Sequence, residues 1–259
     1  MTTRQEREAH FHDEKRGLHQ QPGSPEYARY SAYQKWYSVA FPVIEKMYRW
    51  MDERYAGKLV LDYGCGEGEQ ALRLARSAGQ VIGIDISGQS IEMAREKAKK
   101  AGLSDKITFV VGDVEALNYP ADTFDGIWCS GVLHHLDVNA AFGEMARVLK
   151  PDGGAICNEA LGHNVLINLY RRTTPHLRSD DEHPLKKAEV EMAGLHFGGV
   201  DRQFHHFMTL ASAPFHQTPL KKVLFPPLRL LDRVVLNTPG LRWQAWQVVM
   251  MLTQPKKSG

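Results

Sequence analysis

The sequence predicts an α/β protein built on a doubly wound, mostly parallel sheet of seven strands, with an N-terminal helical lid and C-terminal insertions. Short apolar runs rich in β-branched residues alternate with helical segments through the middle of the chain, and this order produces parallel strands joined by helices. A glycine-rich turn follows the first run, and an aspartate lies at the end of each of the next two. These features predict a sheet whose carboxyl edge binds a ligand.

The elements follow from the hydrophobic pattern in chain order. Strands are predicted at 58–62, 80–86, 106–111, 126–130, 154–158, 204–210 and 243–252. Helices are predicted at 70–76, 90–100, 138–149 and 184–193, the last with Pro184 at a first helical position. Upstream, apolar and aromatic residues recur at helical spacing over 27–55, and Pro42 is expected to divide this stretch into two helices.

Three parts of the chain are expected to contribute to one domain. Residues 1–56 form an N-terminal arm and helical lid, 57–161 the ligand-binding core, and 162–259 insertions and strands that complete the sheet. Residues 1–25 are polar and interrupted by glycines and prolines, which favours a mobile arm or a partly ordered lid.

The composition is that of an ordinary globular protein. Of the 259 residues, 43% are hydrophobic and 24% are charged, and there is no long apolar run that would predict a membrane-spanning helix. The first residues lack the apolar stretch of a signal peptide. Three scattered cysteines are too few for a disulfide framework or a thiolate metal site, so we expect a cytoplasmic location.

The C-terminal part of the chain is basic. Residues 202–259 contain eight lysines and arginines against one acidic residue, Asp232. Residues 219–236 combine this charge with apolar residues at helical spacing. The pattern leaves three interpretations open, namely a weak contact with a membrane surface, a roof over an apolar pocket, or a core helix.

The clearest motif is the turn after the first strand. Gly64, Gly66 and Gly68 are spaced by two, and glycine is needed where the backbone approaches a ligand closely or takes a positive φ. A dinucleotide site would have the pattern G-x-G-x-x-G, but Glu69 occupies the last position. Glu67 and Glu69 also place negative charge beside the loop, which argues against a pyrophosphate and therefore against a nicotinamide-dependent dehydrogenase.

Two aspartates extend this site across the neighbouring strands. Asp85 ends the second strand, where a carboxylate can accept hydrogen bonds from both hydroxyls of a ribose. Asp113 follows the third strand, where it can accept from an adenine amine or cap a helix. One adenosine-containing ligand would account for three strand ends in order.

At these residues the chain resembles the class I S-adenosylmethionine-dependent methyltransferases, especially their small-molecule, quinone-methyltransferase-like branch. The resemblance covers about 58–158 and implies a Rossmann-like core that binds S-adenosylmethionine and releases S-adenosylhomocysteine. It implies a loop around the methionine part, a ribose ligand, adenine contacts and a further contact after strand four. The corresponding residues are Asp62, Gly64, Cys65 and Gly66, then Asp85 and Ile86, then Asp113 and Val114, then Ser130. The implied acceptor is a small, partly apolar metabolite methylated at oxygen, nitrogen or carbon.

Catalytic residues are harder to predict, because methyl transfer mainly requires alignment and exclusion of water. A general base is needed only when the acceptor loses a proton. His134 follows strand four and is a candidate base or packing residue. Glu159, His163 and His176 are candidates for an acid–base or substrate-orienting set, Glu159 and His163 sharing one face if a helix begins there. Their spacing fits no standard zinc signature, so no metal is predicted.

Other functions remain open at this point. A protein of the same family could bind the cofactor and catalyse a reaction that transfers no methyl group, or serve as a binding module. A nucleic-acid methyltransferase is disfavoured because the chain lacks the Asn/Asp-Pro-Pro-Tyr/Phe motif, and no nucleic-acid partner is expected. The sequence does not predict an oligomeric state.

Overall fold

The computed structural model describes residues 3–15, 39–173 and 183–257. Within them, seven strands form one sheet in the order β3-β2-β1-β4-β5-β7-β6. The strands are β1 (Leu59–Tyr63), β2 (Gln80–Asp85), β3 (Ile107–Val111), β4 (Phe124–Ser130), β5 (Leu149–Ala160), β6 (Phe197–His205) and β7 (Gln247–Pro255). Strands β1 to β5 pair in parallel, and β7 is antiparallel to both β5 and β6. The prediction of a seven-stranded, mostly parallel sheet is confirmed.

The α-helices of the described residues lie on both faces of the sheet and at its carboxyl edge. They are α1 (Thr3–Lys15), α2 (Phe41–Tyr55), α3 (Glu69–Leu74), α4 (Gly88–Lys100), α5 (Val138–Val148), α6 (Val165–Thr173), α7 (Lys187–His196) and α8 (Pro219–Asn237). Side-chain caps start two of them, because Ser87 accepts a hydrogen bond from the Ser90 amide and Asp137 accepts from two amides of α5. Pro42 lies in the first turn of α2, while the expected helix before it lies outside the described residues.

The strands separate two hydrophobic clusters because alternate side chains point to opposite faces. On β4, Ile127 and Cys129 join the cluster under α5 and α7, and Trp128 joins the cluster under α2 and α4. Tyr48 of α2 stacks on Trp128 with ring centroids 4.5 Å apart. The two clusters fix the helices relative to the carboxyl edge of the sheet.

Two predicted elements are wrong in position. The sixth strand, predicted at 204–210, runs from Phe197 to His205, and Met208–Phe215 is a 3₁₀ helix. The strand ends because His206 takes a φ of 67°. Glycines and charged residues within β6 obscure the alternation of apolar and polar residues that predicts a strand. The helix predicted at 184–193 begins at Lys187, because Leu185 is held in a β-bridge with Leu161. Pro184 is therefore not at its first position.

The last strand also begins later than the predicted 243, since Leu241–Gln244 forms a 3₁₀ helix. Strand β5 begins at Leu149, five residues earlier than expected. The other predicted core elements are found with end shifts of one or two residues.

Helix α8 is packed into the core on one side only, through Leu236 and Phe225. Five of its apolar side chains form one stripe, and each is 45–68% exposed, namely Leu220, Val223, Leu230, Leu231 and Val234. Of the helices in the described residues, none is long and apolar enough to cross a bilayer.

Candidate functional site

The loop after β1 is shaped by three glycines in the left-handed region. Gly64, Gly66 and Gly68 have φ values of 72°, 50° and 81°, which other residues adopt at a cost. A Cβ on Gly64 would lie 2.5 Å from the Val132 side chain, and one on Gly68 would lie 2.8 Å from Phe109. Both glycines are therefore required for close approach as well as for conformation.

A cavity of about 270 Å³ lies beside this loop, at the carboxyl ends of β1 to β4. All but one of the residues predicted to bind the cofactor line it. They are Gly64, Cys65, Gly66, Asp85, Ile86, Asp113, Val114 and Ser130. The structure thus brings together, at one edge of the sheet, side chains that are up to 66 positions apart in the sequence.

Asp85 joins the loop to the second strand. Its Oδ2 accepts a hydrogen bond from the Gly66 amide at 2.8 Å, and its Oδ1 accepts from the Ser87 amide at 2.9 Å. Each carboxylate oxygen can accept a second bond. The carboxylate is therefore fixed in orientation and still able to bind two hydroxyl groups.

Asp113 and Val114 form the wall beyond β3. Asp113 Oδ1 accepts from the Glu115 amide at 2.9 Å, in the manner of a cap, and Asp113 Oδ2 accepts from the Gln5 side chain. The Val114 carbonyl accepts a hydrogen bond from the Tyr63 hydroxyl at 2.7 Å. Asp113 thus both caps the local backbone and faces the cavity.

Asp62 does not line the cavity, which separates it from the other predicted cofactor residues. It is 1% exposed and lies under the loop, where it accepts a backbone hydrogen bond from Ala71 in the first turn of α3. Burial raises its pKa to about 8, and the nearby charges of Asp85 and Glu69 add to the shift. Asp62 supports the loop from beneath.

The negative charge of the loop is partly neutralised. Lys97 of α4 contacts the Glu67 carboxylate at 2.7 Å and also pairs with Glu69. Lys97 lies 28 residues beyond Glu69 in the chain, so no local sequence pattern predicts this pairing. The loop carries less net charge than the sequence suggested.

Helix α1 supplies cavity residues that the sequence analysis missed. Arg4, Gln5 and Glu8 line the cavity, Arg4 pairs with Glu115, and Glu8 lies 3.2 Å from His135. His10 of the same helix is exposed, and the aromatic residues of 27–33 lie outside the described residues. Helix α1 is almost entirely polar, so no apolar stripe marks the face that covers the cavity.

Glu159 and His134 form a buried pair beside the cavity. Glu159 lies in β5, so the helix that would have placed it on one face with His163 does not exist. One of its carboxylate oxygens accepts from the Val132 and Leu133 amides, each at 2.9 Å, and the other lies 2.8 Å from His134 Nδ1. Because a carboxylate only accepts, His134 carries a proton on Nδ1 in this pair.

The remaining catalytic candidates are not assembled with this pair. His163 Nε2 accepts from the Lys187 amide at 3.0 Å, and its ring packs edge-on against Trp243. His176 lies outside the described residues. Over 3–15, 39–173 and 183–257, no group of three or more His, Cys, Asp or Glu side chains is arranged to hold a metal ion.

A family model matches the central part of the chain. It is the model of a methyltransferase domain, and its match covers residues 60–153, which are less than half of the chain.

Known proteins show how far the similarity extends. The chain is 40% identical to the methyltransferase GfsG of Streptomyces halstedii over 111 residues, which are 42% of this chain and 40% of that protein. It thus spans about two fifths of the length of the curated relatives that it matches. The fold is similar to geranyl diphosphate C-methyltransferase from Streptomyces coelicolor, with a TM-score of 0.64, 14% identity and coverage of 98% and 99% of the two chains. It is also similar to the [4+2]-cyclase SpnF, with a TM-score of 0.54, 23% identity and 82% coverage of both.

Asp62 generates a prediction on stability against pH. The folded-state pKa of Asp62, about 8, lies above its unfolded value near 3.8. As the pH rises, the Asp62 carboxyl group therefore loses its proton in the unfolded chain at a lower pH than in the folded protein. The free energy of unfolding should therefore fall as the pH rises from about 4 to 8, with a slope of at most about 1.4 kcal/mol per pH unit from this group. Asp62→Asn should remove that part of the slope in urea unfolding, while Asp105→Asn at an exposed site should keep it. An unchanged slope in Asp62→Asn would contradict the assignment.

The pair of Glu159 and His134 generates a second prediction. In Glu159→Gln, the amide oxygen retains the two backbone donors and the amide NH₂ faces His134, which forces its proton to Nε2. Imidazole ¹⁵N NMR should report this change of tautomer, with a loss of stability of about 1–3 kcal/mol. Glu189→Gln, which alters the partner of His183, should leave the His134 signals in place. The Nδ1–H tautomer persisting in Glu159→Gln would refute the arrangement.

Proposed function

We propose that this protein is a methyltransferase that transfers the methyl group of S-adenosylmethionine to oxygen, nitrogen or carbon of a small, partly apolar metabolite. The observation that carries the proposal is the cavity at the ends of β1 to β4, where the glycine loop, Asp85 and Asp113 face one space. The methyltransferase domain match over 60–153 supports the same assignment.

The acceptor groups and negative charges around the cavity fit an adenosyl cofactor with a cationic sulfur. Asp85 has acceptor capacity for two ribose hydroxyls. Asp113 and Val114 line the same cavity, and we assign them to the adenine. Glu67 and Glu69 keep negative charge near the loop, which suits a sulfonium better than a pyrophosphate. When bound, the cofactor supplies a methyl group already activated for displacement, and it leaves as S-adenosylhomocysteine.

The remaining residues would align the acceptor and exclude water. Arg4, Gln5 and Glu8 cover the cavity from α1. His134 lies beside Gly131 at the cavity rim, and its Cε1 is 3.9 Å from the position of a Gly131 Cβ. Glu159 holds this ring, so we assign His134 as the candidate base for acceptors that lose a proton and Glu159 as its positioning residue.

A second function is favoured by the similarity to a [4+2]-cyclase. In that alternative the cofactor is bound but its methyl group stays in place. The two alternatives differ only in turnover, because both need the same cavity.

The cofactor assignment is tested by isothermal titration with S-adenosylmethionine. Wild type should bind it, and Asp85→Ala should bind at least tenfold more weakly, because hydrogen bonds to a charged group are worth about 1.5 kcal/mol or more each. Asp105→Ala, which removes an exposed carboxylate, is the matched control. Failure of folded wild type to bind would overturn the proposal, and equal affinity in Asp85→Ala would refute the role of that residue. Release of S-adenosylhomocysteine in an acceptor screen then separates methyl transfer from the alternative.

We also propose a weak contact with a membrane surface through 219–236. The exposed apolar stripe of α8 is flanked by the exposed Lys222, Arg229 and Arg233, which is the pattern of a helix that rests on anionic lipid. The cytoplasmic location and the absence of a metal stay predictions.

Vesicle co-sedimentation tests the membrane contact. Binding to phosphatidylglycerol-containing vesicles should fall at least severalfold in the double variant Val223→Gln/Leu230→Gln, and it should weaken with salt because the charge attraction is screened. Leu195→Gln removes an equally exposed apolar residue from α7 and should have no effect. Equal loss in both variants, or no binding by wild type, would exclude the contact.

A further inference from the structure

A second cavity, of about 520 Å³, lies beyond β6. It is lined by the start of α2, the carboxyl end of β6, the 3₁₀ helix after it and α8, and among the described residues it shares none with the cofactor cavity. Five cationic side chains of the described residues line it, namely Lys46, Arg202, Arg229, Arg233 and Arg242.

The positive charge of this cavity is poorly compensated. In the described part of the chain, its acidic lining residues are Asp201 and Asp232. Asp232 is saturated, because it accepts from the amides of Phe207, Met208 and Thr209 and from the Thr209 hydroxyl. Among the described residues, none of the four arginines forms an ion pair with a carboxylate.

Three buried nitrogen atoms of the lining residues have no hydrogen-bond partner in the described part of the chain. They are Arg202 Nε, Arg242 Nε and His206 Nε2. Buried polar groups are nearly always satisfied, and leaving one unpaired costs about 1–3 kcal/mol. Three such atoms lie around one basic cavity, which favours a bound polar group there.

The histidine specifies which kind of anion fits. His206 is 5% exposed, and its Nδ1 lies 3.2 Å from Thr209 Oγ1, whose proton is donated to Asp232. Nδ1 must therefore donate, which leaves Nε2 with a lone pair. Burial, together with His205 and Arg229, lowers the pKa of His206 to about 3, so the ring stays neutral and accepts. The cavity thus offers several donors from arginine and one acceptor.

A phosphate-type anion matches this set better than a carboxylate does. Near neutral pH a phosphate carries charged oxygens together with an oxygen that still titrates, with a pKa near 6, so it can accept from arginine and donate to histidine. An ionised carboxylate only accepts. Arginine forks also bind phosphate in a bidentate manner.

The backbone of His206 has an unfavourable conformation. His206 has a φ of 67°, a conformation that non-glycine residues rarely take, and its carbonyl accepts from the Trp246 amide at 2.8 Å. Strained residues of this kind cluster at binding sites.

We propose that the cavity lined by Arg202, His206 and Arg242 is a second binding site, specific for a phosphate or diphosphate group. The group belongs either to a free anion or to one end of an elongated acceptor. His205 and Ser130 end strands β6 and β4, which run in the same direction three strand spacings apart, or about 14 Å at 4.8 Å per strand. If the group is one end of an acceptor, this inference rests on the proposed function.

The test is isothermal titration of the full chain with inorganic pyrophosphate. Wild type should bind saturably, and Arg202→Gln/Arg242→Gln should bind at least tenfold more weakly. His206→Phe, which removes the acceptor and keeps a ring, should also weaken binding. Lys222→Gln removes one exposed charge of α8 outside the cavity and should bind as wild type does. Binding of S-adenosylhomocysteine by each variant verifies that it is folded, and a thermal unfolding transition does so if that ligand does not bind.

The outcomes separate this site from the cofactor site. Tighter binding of an alkyl diphosphate than of pyrophosphate, enhanced by S-adenosylhomocysteine, would support an acceptor end, whereas equal binding would support a free anion. Pyrophosphate binding without any S-adenosylhomocysteine binding would retain this site and overturn the proposed function. No saturable binding to wild type, or an equal loss in Lys222→Gln, would overturn the site.

Discussion

The site depends on how closely the backbone after β1 passes its neighbours. The chain must turn under Val132, which follows β4, and then against Phe109 of β3 before α3 begins. Only residues without a Cβ fit at Gly64 and Gly68, and the positive φ values make the same demand. Because the loop passes so close to these side chains, the Gly66 amide donates a hydrogen bond to Asp85. This bond connects the loop after β1 to the end of β2, at the point where a ligand would lie.

Local patterns made this part of the chain predictable. The strand–helix alternation, the glycine spacing and the aspartates at strand ends are all readable over short windows, and the predicted cofactor residues except Asp62 do meet at one cavity. Asp62 differs because the side chain of a strand residue can point toward the ligand or beneath the loop, and the sequence pattern does not distinguish the two. Its burial is a property of the packed structure.

Features that depend on distant contacts were not predictable. Arg4 and Glu8 contact residues more than 100 positions away. Helix α1, which carries them, is polar, so no apolar stripe in its sequence shows which of its faces packs on the protein. The sequence predicts that the strand before Glu159 ends at 158, which leaves open a helix from Glu159 through His163, whereas pairing with β7 extends β5 to Ala160. That extension turns a presumed acid–base residue into the buried partner of His134. The sixth strand was misplaced for the same reason, since its hydrogen bonds come from β7 and its own residues alternate weakly.

The antiparallel β7 also explains why two cavities can share one edge of the sheet. By running against both neighbours, it lets β6 point in the same direction as β5, so that Ala160, Gln247 and His205 lie in one row. The connections that leave this row are long, and they carry α6 and α8 rather than a tight turn. The acidic loop at β1 and the basic cavity at β6 therefore lie toward opposite ends of a single edge. A cationic sulfonium and an anionic group would each be attracted to a different end. Strand order sets the distance between the two ends, and the helices packed beside β6 supply most of the positive charge at the second one.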